Sequence, residues 1–231
     1  MKNILLKYHQ VKWIAHRGLP SKTVENTVEG FKLASELPFF GIETDVHQTL
    51  DNVLVLHHDD NLVKLTGLDS LIDKTDYETI KGLKLKETNQ TIPTLETYLK
   101  ICKNSNKIAV IELKAPFTVL KIKQIIEVVK NEDYLDHTLF ISFYIDNLMI
   151  VRDLYKDIPL HLLTGNLTPI QLQIGIAYQL DFSIYHKNVT KNIVDDIHQH
   201  NRLVSTWTVN TLDDALRLID LGVDFITTDG F

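Results

Sequence analysis

Apolar and polar positions alternate along this chain in two periods. Ile108 to Leu113, Thr138 to Ser142, Pro159 to Leu163 and Asp181 to Tyr185 are short runs dense in apolar and β-branched residues, which predicts strands. Val119 to Asn131, Ile145 to Tyr155, Pro169 to Tyr178, Lys191 to His200 and Leu212 to Leu221 carry apolar residues at helical spacing between and after them. The same order holds in the N-terminal half. Strands are predicted over Val11 to His16 and Phe39 to Val46, with helices over Val28 to Glu36, capped by Glu25-Asn26-Thr27, and over Thr94 to Lys103. Leu203 to Thr208 and Asp224 to Thr227 bring the count to eight strands, ending near His16, Asp45, Glu112, Ser142, Leu163, Tyr185, Trp207 and Thr227.

Eight parallel strands, each but the last followed by helical or connecting sequence, predict an α/β fold, a closed (β/α)8 TIM barrel. An open doubly wound sheet is the alternative, but no Gly-x-Gly-x-x-Gly follows the first strand to support dinucleotide binding. One stretch breaks the pattern. After the apolar run Val53 to Leu56, the chain from Asp60 to Pro93 is polar and interrupted by Gly67 and Gly82. This predicts a loop-like excursion, a small insertion after strand two spanning about 59–93.

Composition narrows the class. With 231 residues, 44% of them hydrophobic, the chain can bury one large core, so residues 1–231 are expected to form a single domain. A net charge of -6 argues against nucleic-acid partners, which need a basic footprint. Cys102 is the only cysteine, so neither an intrachain disulfide nor a thiolate metal cluster is available, as fits a reducing cytoplasm. Its spacing with Leu95, Tyr98 and Leu99 places it in the core. The N-terminus has no signal-peptide pattern, and no window approaches eighteen apolar residues, so no stable membrane insertion is expected.

Candidate chemistry gathers where strands end, the rim on which reactive residues of such barrels sit. In Gly41-Ile42-Glu43-Thr44-Asp45-Val46 a period of two puts Glu43 and Asp45 on one face. Neighbouring carboxylates repel, and a divalent cation relieves them. Ile111-Glu112-Leu113-Lys114 pairs Glu112 with Lys114 in the same way, adding a third carboxylate. Arg17 and Lys114 suit a phosphoryl group, or else neutralise the carboxylates, and Gly18 permits close backbone approach. Displacement at a phosphodiester needs two proton carriers. His16 is one candidate, while His57 and His58 compete for the other role because alternation turns only one of them to the cavity. His47 and the remaining histidines have ordinary surface or core roles as the default. Trp207 could wall the pocket.

Taken together, Ala15-His16-Arg17-Gly18, Glu25-Asn26-Thr27, Glu43-Thr44-Asp45-Val46, His58-Asp59, Pro93-Thr94-Leu95, Glu112-Leu113-Lys114, Trp207-Thr208-Val209-Asn210 and Gly222-Val223-Asp224 to Thr228-Asp229 resemble the glycerophosphodiester phosphodiesterase family, in the right order over nearly the whole chain. The resemblance implies hydrolysis of a small-molecule glycerophosphodiester to sn-glycerol 3-phosphate and an alcohol, with one divalent metal ion, Mg²⁺ or Ca²⁺. It implies acid/base roles for His16 and His58, metal ligation by Glu43, Asp45 and Glu112, and phosphate binding by Arg17 and Lys114. Glu25 and Asn26 match the motif that lines the site, and Trp207 the residue that packs on glycerol. The chain departs from the family at Leu62-Val63-Lys64-Leu65-Thr66, where the family often has arginine in a Leu-Asp-Arg-Thr run, and at Asp51-Asn52, where Asp-Gly is usual. Two other readings are a lysophospholipase D with the same rim and a non-catalytic barrel that senses a phosphodiester.

Overall fold

The computed structural model describes residues 1–230, and among them eight parallel strands close into a barrel. In chain order the strands are β1 (Lys12–Ala15), β2 (Gly41–Gln48), β3 (Leu54–Leu56), β4 (Ile108–Leu113), β5 (Thr138–Ser142), β6 (Leu160–Thr164), β7 (Asp181–Tyr185), β8 (Val204–Trp207) and β9 (Phe225–Thr228). β1 pairs in parallel with both β2 and β9, which closes the ring. Only β3 stands outside it, antiparallel to the end of β2.

The helices are α1 (Lys2–Lys7), α2 (Val28–Ser35), α3 (Val63–Thr66), α4 (Tyr77–Ile80), α5 (Leu95–Ser105), α6 (Val119–Asn131), α7 (Ile145–Leu154), α8 (Pro169–Ala177), α9 (Lys191–Gln199) and α10 (Leu212–Leu221). Six of them start on a threonine: the side chains of Thr27, Thr94, Thr118, Thr168, Thr190 and Thr211 each accept a hydrogen bond from a first-turn backbone N–H. Such a cap contributes about 1 kcal/mol and marks where each helix begins. None of the helices is long and apolar enough to cross a membrane, among the described residues.

Strand periodicity sorts the core into two layers. Ile42, Val46, Ala109, Ile111 and Leu113 pack outward against Phe31, Leu95, Leu99 and Ile126 of the helices. Ile14, Val110, Leu139, Ile141, Leu163 and Phe225 form a separate apolar cluster inside the barrel. Tyr98 of α5 ties the layers together, donating its hydroxyl hydrogen to the Ile42 carbonyl at 2.6 Å. Cys102 is buried beside it, and burial pushes its thiol up to about 12, so it remains an unreactive core residue.

The segment after β3 is more ordered than its polar composition predicts. Val55, Leu62, Ile72, Ile80, Leu85 and Ile92 are at most 3% exposed and form their own small cluster. These residues follow neither helical nor strand spacing. Val55 comes from β3 and each of the others from a different turn or short helix, so only tertiary convergence reveals them as a core. The N-terminal α1 is likewise unforeseen by periodicity; its one buried residue, Leu5, joins the main core.

Candidate active site

The parallel register of β2 and β4 sets Asp45 directly beside Glu112. Glu43 lies two residues earlier on the same face of β2. Carboxylate oxygens of Glu43, Asp45 and Glu112 all lie within 4.8 Å of one another, and all three residues are buried. Burying three like charges together is costly unless cations neutralise them.

Two cations stand close. The Lys114 ammonium is 3.0 Å from Glu112 Oε1 and 3.5 Å from Asp45 Oδ1, while the Arg17 guanidinium is 3.3 Å from Asp45 Oδ2 and 3.1 Å from Glu25 Oε2. The Arg17 backbone N–H donates to Glu43 Oε2 at 2.8 Å, and Asn26 Nδ2 donates to Asp45 Oδ2 at 2.8 Å. The balance differs by site. Burial, then Asp45 and Glu112, drives Glu43 well above the usual carboxylate range. Glu112 is pushed to about 7 by burial and by Asp45. Burial also acts against ionised Asp45, but Lys114 and Arg17 outweigh it and hold this carboxyl below its ordinary value.

Glu43 Oε1 and Asp45 Oδ1 are nevertheless buried without a hydrogen bond. Buried carboxylate oxygens close to one another and short of hydrogen bonds are what a hard divalent cation needs, so the group could bind a metal. Arg17 and Asn26 reach these positions in left-handed backbone, with φ of 49° and 53°. The role of Gly18 differs from the expected approach to a ligand. At φ +87° it lies against α2, where an added Cβ would meet the Gly30 carbonyl carbon at 2.8 Å.

Two histidines complete the rim. His16 Nδ1 is 2.6 Å from Asp229 Oδ1, and Asp229 is itself held by Asn210, whose Nδ2 donates to Oδ2 at 2.6 Å. His58 Nδ1 is 2.6 Å from Asp59 Oδ1. With Nδ1 engaged, Nε2 is the ring nitrogen left for the cavity in each case. Burial pushes His58 below its ordinary value, against the pull of Asp45.

The cavity between them holds about 180 Å³. Its charged wall is His16, Arg17, Glu43, His58, Glu112 and Lys114; its apolar wall is Ile141, Phe143, Leu163 and Trp207. Trp207 is oriented by donation from Nε1 to the Ser183 carbonyl at 3.0 Å and by the edge-on ring of Phe143, 5.4 Å away. A larger cavity of about 400 Å³ opens at the other end of the barrel, lined by Lys12, His161, Asp181 and Phe225 but by none of the candidates.

The candidates therefore divide. His16, Arg17, Glu43, His58, Glu112, Lys114 and Trp207 line one cavity, and Asp45 sits behind it among the carboxylates. Glu25 and Asn26 do not line it; they grip Arg17 and Asp45 from behind. His57 is buried, with Nδ1 against the Asp59 carbonyl at 2.8 Å, so the alternation that separates it from His58 holds. Asp59, Asp229, Asn210 and His47 escaped assignment from sequence. The rim position of Asp229 at the end of β9 was a usable signal, as was the two-residue step from Asp45 to His47.

Comparisons with known proteins place the chain in a family. A family model described as the glycerophosphoryl diester phosphodiesterase family matches residues 16–231. A glycerophosphodiester phosphodiesterase of Bacillus altitudinis is 31% identical over 242 residues, covering 94% of each chain. One from Caldanaerobacter subterraneus is 29% identical over 227 residues, covering 94% of this chain and 93% of its own. Among solved structures, a phosphodiesterase of Oleispira antarctica in complex with the product sn-glycerol-3-phosphate superposes with a TM-score of 0.87 at 25% identity, over 96% of this chain and 94% of that one. A glycerophosphodiester phosphodiesterase from Parabacteroides distasonis gives 0.83 at 31% identity, over 95% and 93%.

Proposed function

The chain belongs to the glycerophosphoryl diester phosphodiesterase family and is a phosphodiesterase; from that premise we propose that it hydrolyses glycerophosphodiesters such as glycerophosphocholine or glycerophosphoethanolamine to sn-glycerol 3-phosphate and an alcohol. The observation that carries this reading is the buried carboxylate trio sharing one cavity wall with two histidines, each oriented by an aspartate. Glu43, Asp45 and Glu112 would hold one divalent ion, Mg²⁺ or Ca²⁺, which supplies positive charge to the phosphoryl oxygens when bound.

The chain's own residues do the rest. A phosphoryl oxygen entering the charged wall meets the planar Arg17 fork and the Lys114 ammonium, which favour the charge that develops during displacement. Glu25 and Asn26 keep Arg17 and Asp45 in place. Of His16 and His58, one removes the proton from the attacking oxygen and the other delivers a proton to the departing alcohol as its P–O bond breaks. Asp229 and Asp59 fix the ring orientations. Trp207 packs on the glycerol carbons against the apolar wall.

The test is release of glycerol 3-phosphate from glycerophosphocholine and glycerophosphoethanolamine with Mg²⁺, with Ca²⁺ and with chelator. Metal-dependent product is expected. Folded protein that yields none under either metal overturns the reading. One observation favours a lysolipid substrate as the second reading: Phe143, 45% exposed, extends the apolar wall outward from Trp207. Faster turnover of a lysophosphatidylcholine than of glycerophosphocholine would select it.

A further inference from the structure

We propose that His47 and His57 are positioning residues that fix His58 by holding two consecutive carbonyls of the turn that carries it; the inference rests on the reading of His58 as a proton carrier. The turn needs such help. β3 ends at Leu56, so His57-His58-Asp59 leaves the sheet without a strand ladder. Its backbone is tied back at the start, where the His57 N–H donates to the Asp45 carbonyl at 3.1 Å.

The next two ties come from imidazoles. His47 Nε2 lies 3.2 Å from the His58 carbonyl oxygen, and His57 Nδ1 lies 2.8 Å from the Asp59 carbonyl oxygen. A carbonyl can only accept, so the hydrogen sits on Nε2 of His47 and on Nδ1 of His57. Asp59, whose main chain is gripped this way, is the residue whose carboxylate meets His58 Nδ1 at 2.6 Å. His58 and the carboxylate that orients it are therefore fastened together.

Both rings are built into the protein, at 7% and 1% exposure. His57 leaves Nε2 buried and without a hydrogen bond, a cost that an apolar side chain of similar size would avoid. Its Nδ1 donation is the compensating feature. His47 stands two residues beyond Asp45 on the same face of β2, the strand that also presents Glu43. One strand thus spaces the proton carrier from the acidic trio, and displacement of such a group by about 1 Å can lower a rate about 100-fold.

The experiment uses amide side chains as nitrogen mimics. Glutamine places its amide nitrogen near imidazole Nε2, and asparagine near imidazole Nδ1. His47→Leu and His57→Leu are expected to lower kcat on glycerophosphocholine about 100-fold, with KM, Mg²⁺ affinity and the melting temperature close to wild type. His47→Gln and His57→Asn are expected to recover most of the loss; the crossed variants His47→Asn and His57→Gln, with the nitrogen misplaced, are not. Should the leucine variants fail to fold, the matched and crossed amides alone still decide. Wild-type kcat in the leucine variants, or equal activity in matched and crossed amides, overturns the inference. So does a loss of kcat that tracks melting temperature and Mg²⁺ affinity, which would mark a merely structural role. His58→Ala is the control, since full turnover there would overturn the catalytic reading itself.

Discussion

At the C-terminal ends of β2 and β4, three carboxylates, a lysine and an arginine are packed together below the surface, and two carboxylate oxygens find no hydrogen bond. At the opposite end of the same barrel, burial is handled in the reverse way. His161, 2% exposed, is held neutral, burial pushing its pKa to about 3. Its ring meets Phe225 at 5.1 Å, and the Lys12 ammonium lies over Phe40 and Phe225 at 5.0 and 4.9 Å. One end crowds three acids together at a cost in stability, only Asp45 being held firmly ionised; the other keeps its imidazole neutral and lays a cation on aromatic faces. The difference teaches which end calls for a ligand, because acids crowded against their own repulsion gain most from a bound cation.

The largest effect that tests this contrast is on turnover. His16→Ala and His58→Ala should each lower kcat about 10²- to 10⁴-fold, because a proton carrier is lost, while melting temperature moves little. Steady-state kinetics beside a melting curve check this, and a variant that unfolds in parallel with its loss of rate would erase the distinction between the two ends.

Acid stability comes next. A histidine whose folded pKa is depressed contributes stability above the ordinary value of 6.5, and this is lost as pH falls from there toward about 3. The loss from His161 amounts to at most about 1.4 kcal/mol per pH unit in that window. Asp181, 3.7 Å away and raised by burial, acts in the opposite sense, and Asp224 and Lys12 also face the ring. Urea denaturation at pH 7, 5 and 4 should show a shallower acid loss in His161→Leu, with turnover at pH 7 unchanged. An identical acid limb in the variant would show that this end is not governed by the buried imidazole.

The smallest effect has the opposite sign. Glu43→Gln removes the carboxyl that burial and its two acidic neighbours push above its ordinary range, so the chelator-treated protein should be slightly stabilised at pH 7 and above. Added Mg²⁺ should raise the melting temperature of the wild type but not of the variant. A destabilised variant in chelator would mean that Arg17 and Lys114 already satisfy the trio.

Local physics made much of this molecule legible in its sequence. Strand and helix periods arise within a few residues, so the eight-strand alternation, the placement of Glu43 and Asp45 on one face and the turning of His58 away from His57 could be read directly. The Glu25-Asn26-Thr27 cap before Val28 could be read for the same reason. Other features depend on pairs that the chain does not place near one another. Asp229 meets His16 across 213 positions, and Asp45 meets Glu112 only through the register of β2 with β4. Glu25 and Asn26 could be linked to the site, but only packing shows that they grip its residues from behind. The apolar residues of the segment after β3 have no period because each buries itself from a different turn. His47 looked ordinary because its partner is a carbonyl, which every residue carries and which only folding brings within hydrogen-bond distance. The sequence by itself thus determined the eightfold strand-helix alternation, the shared face of Glu43 and Asp45 and the opposite faces of His57 and His58. The tertiary structure decided which faces meet, because strand register and loop closure join residues whose separation along the chain carries no local signal.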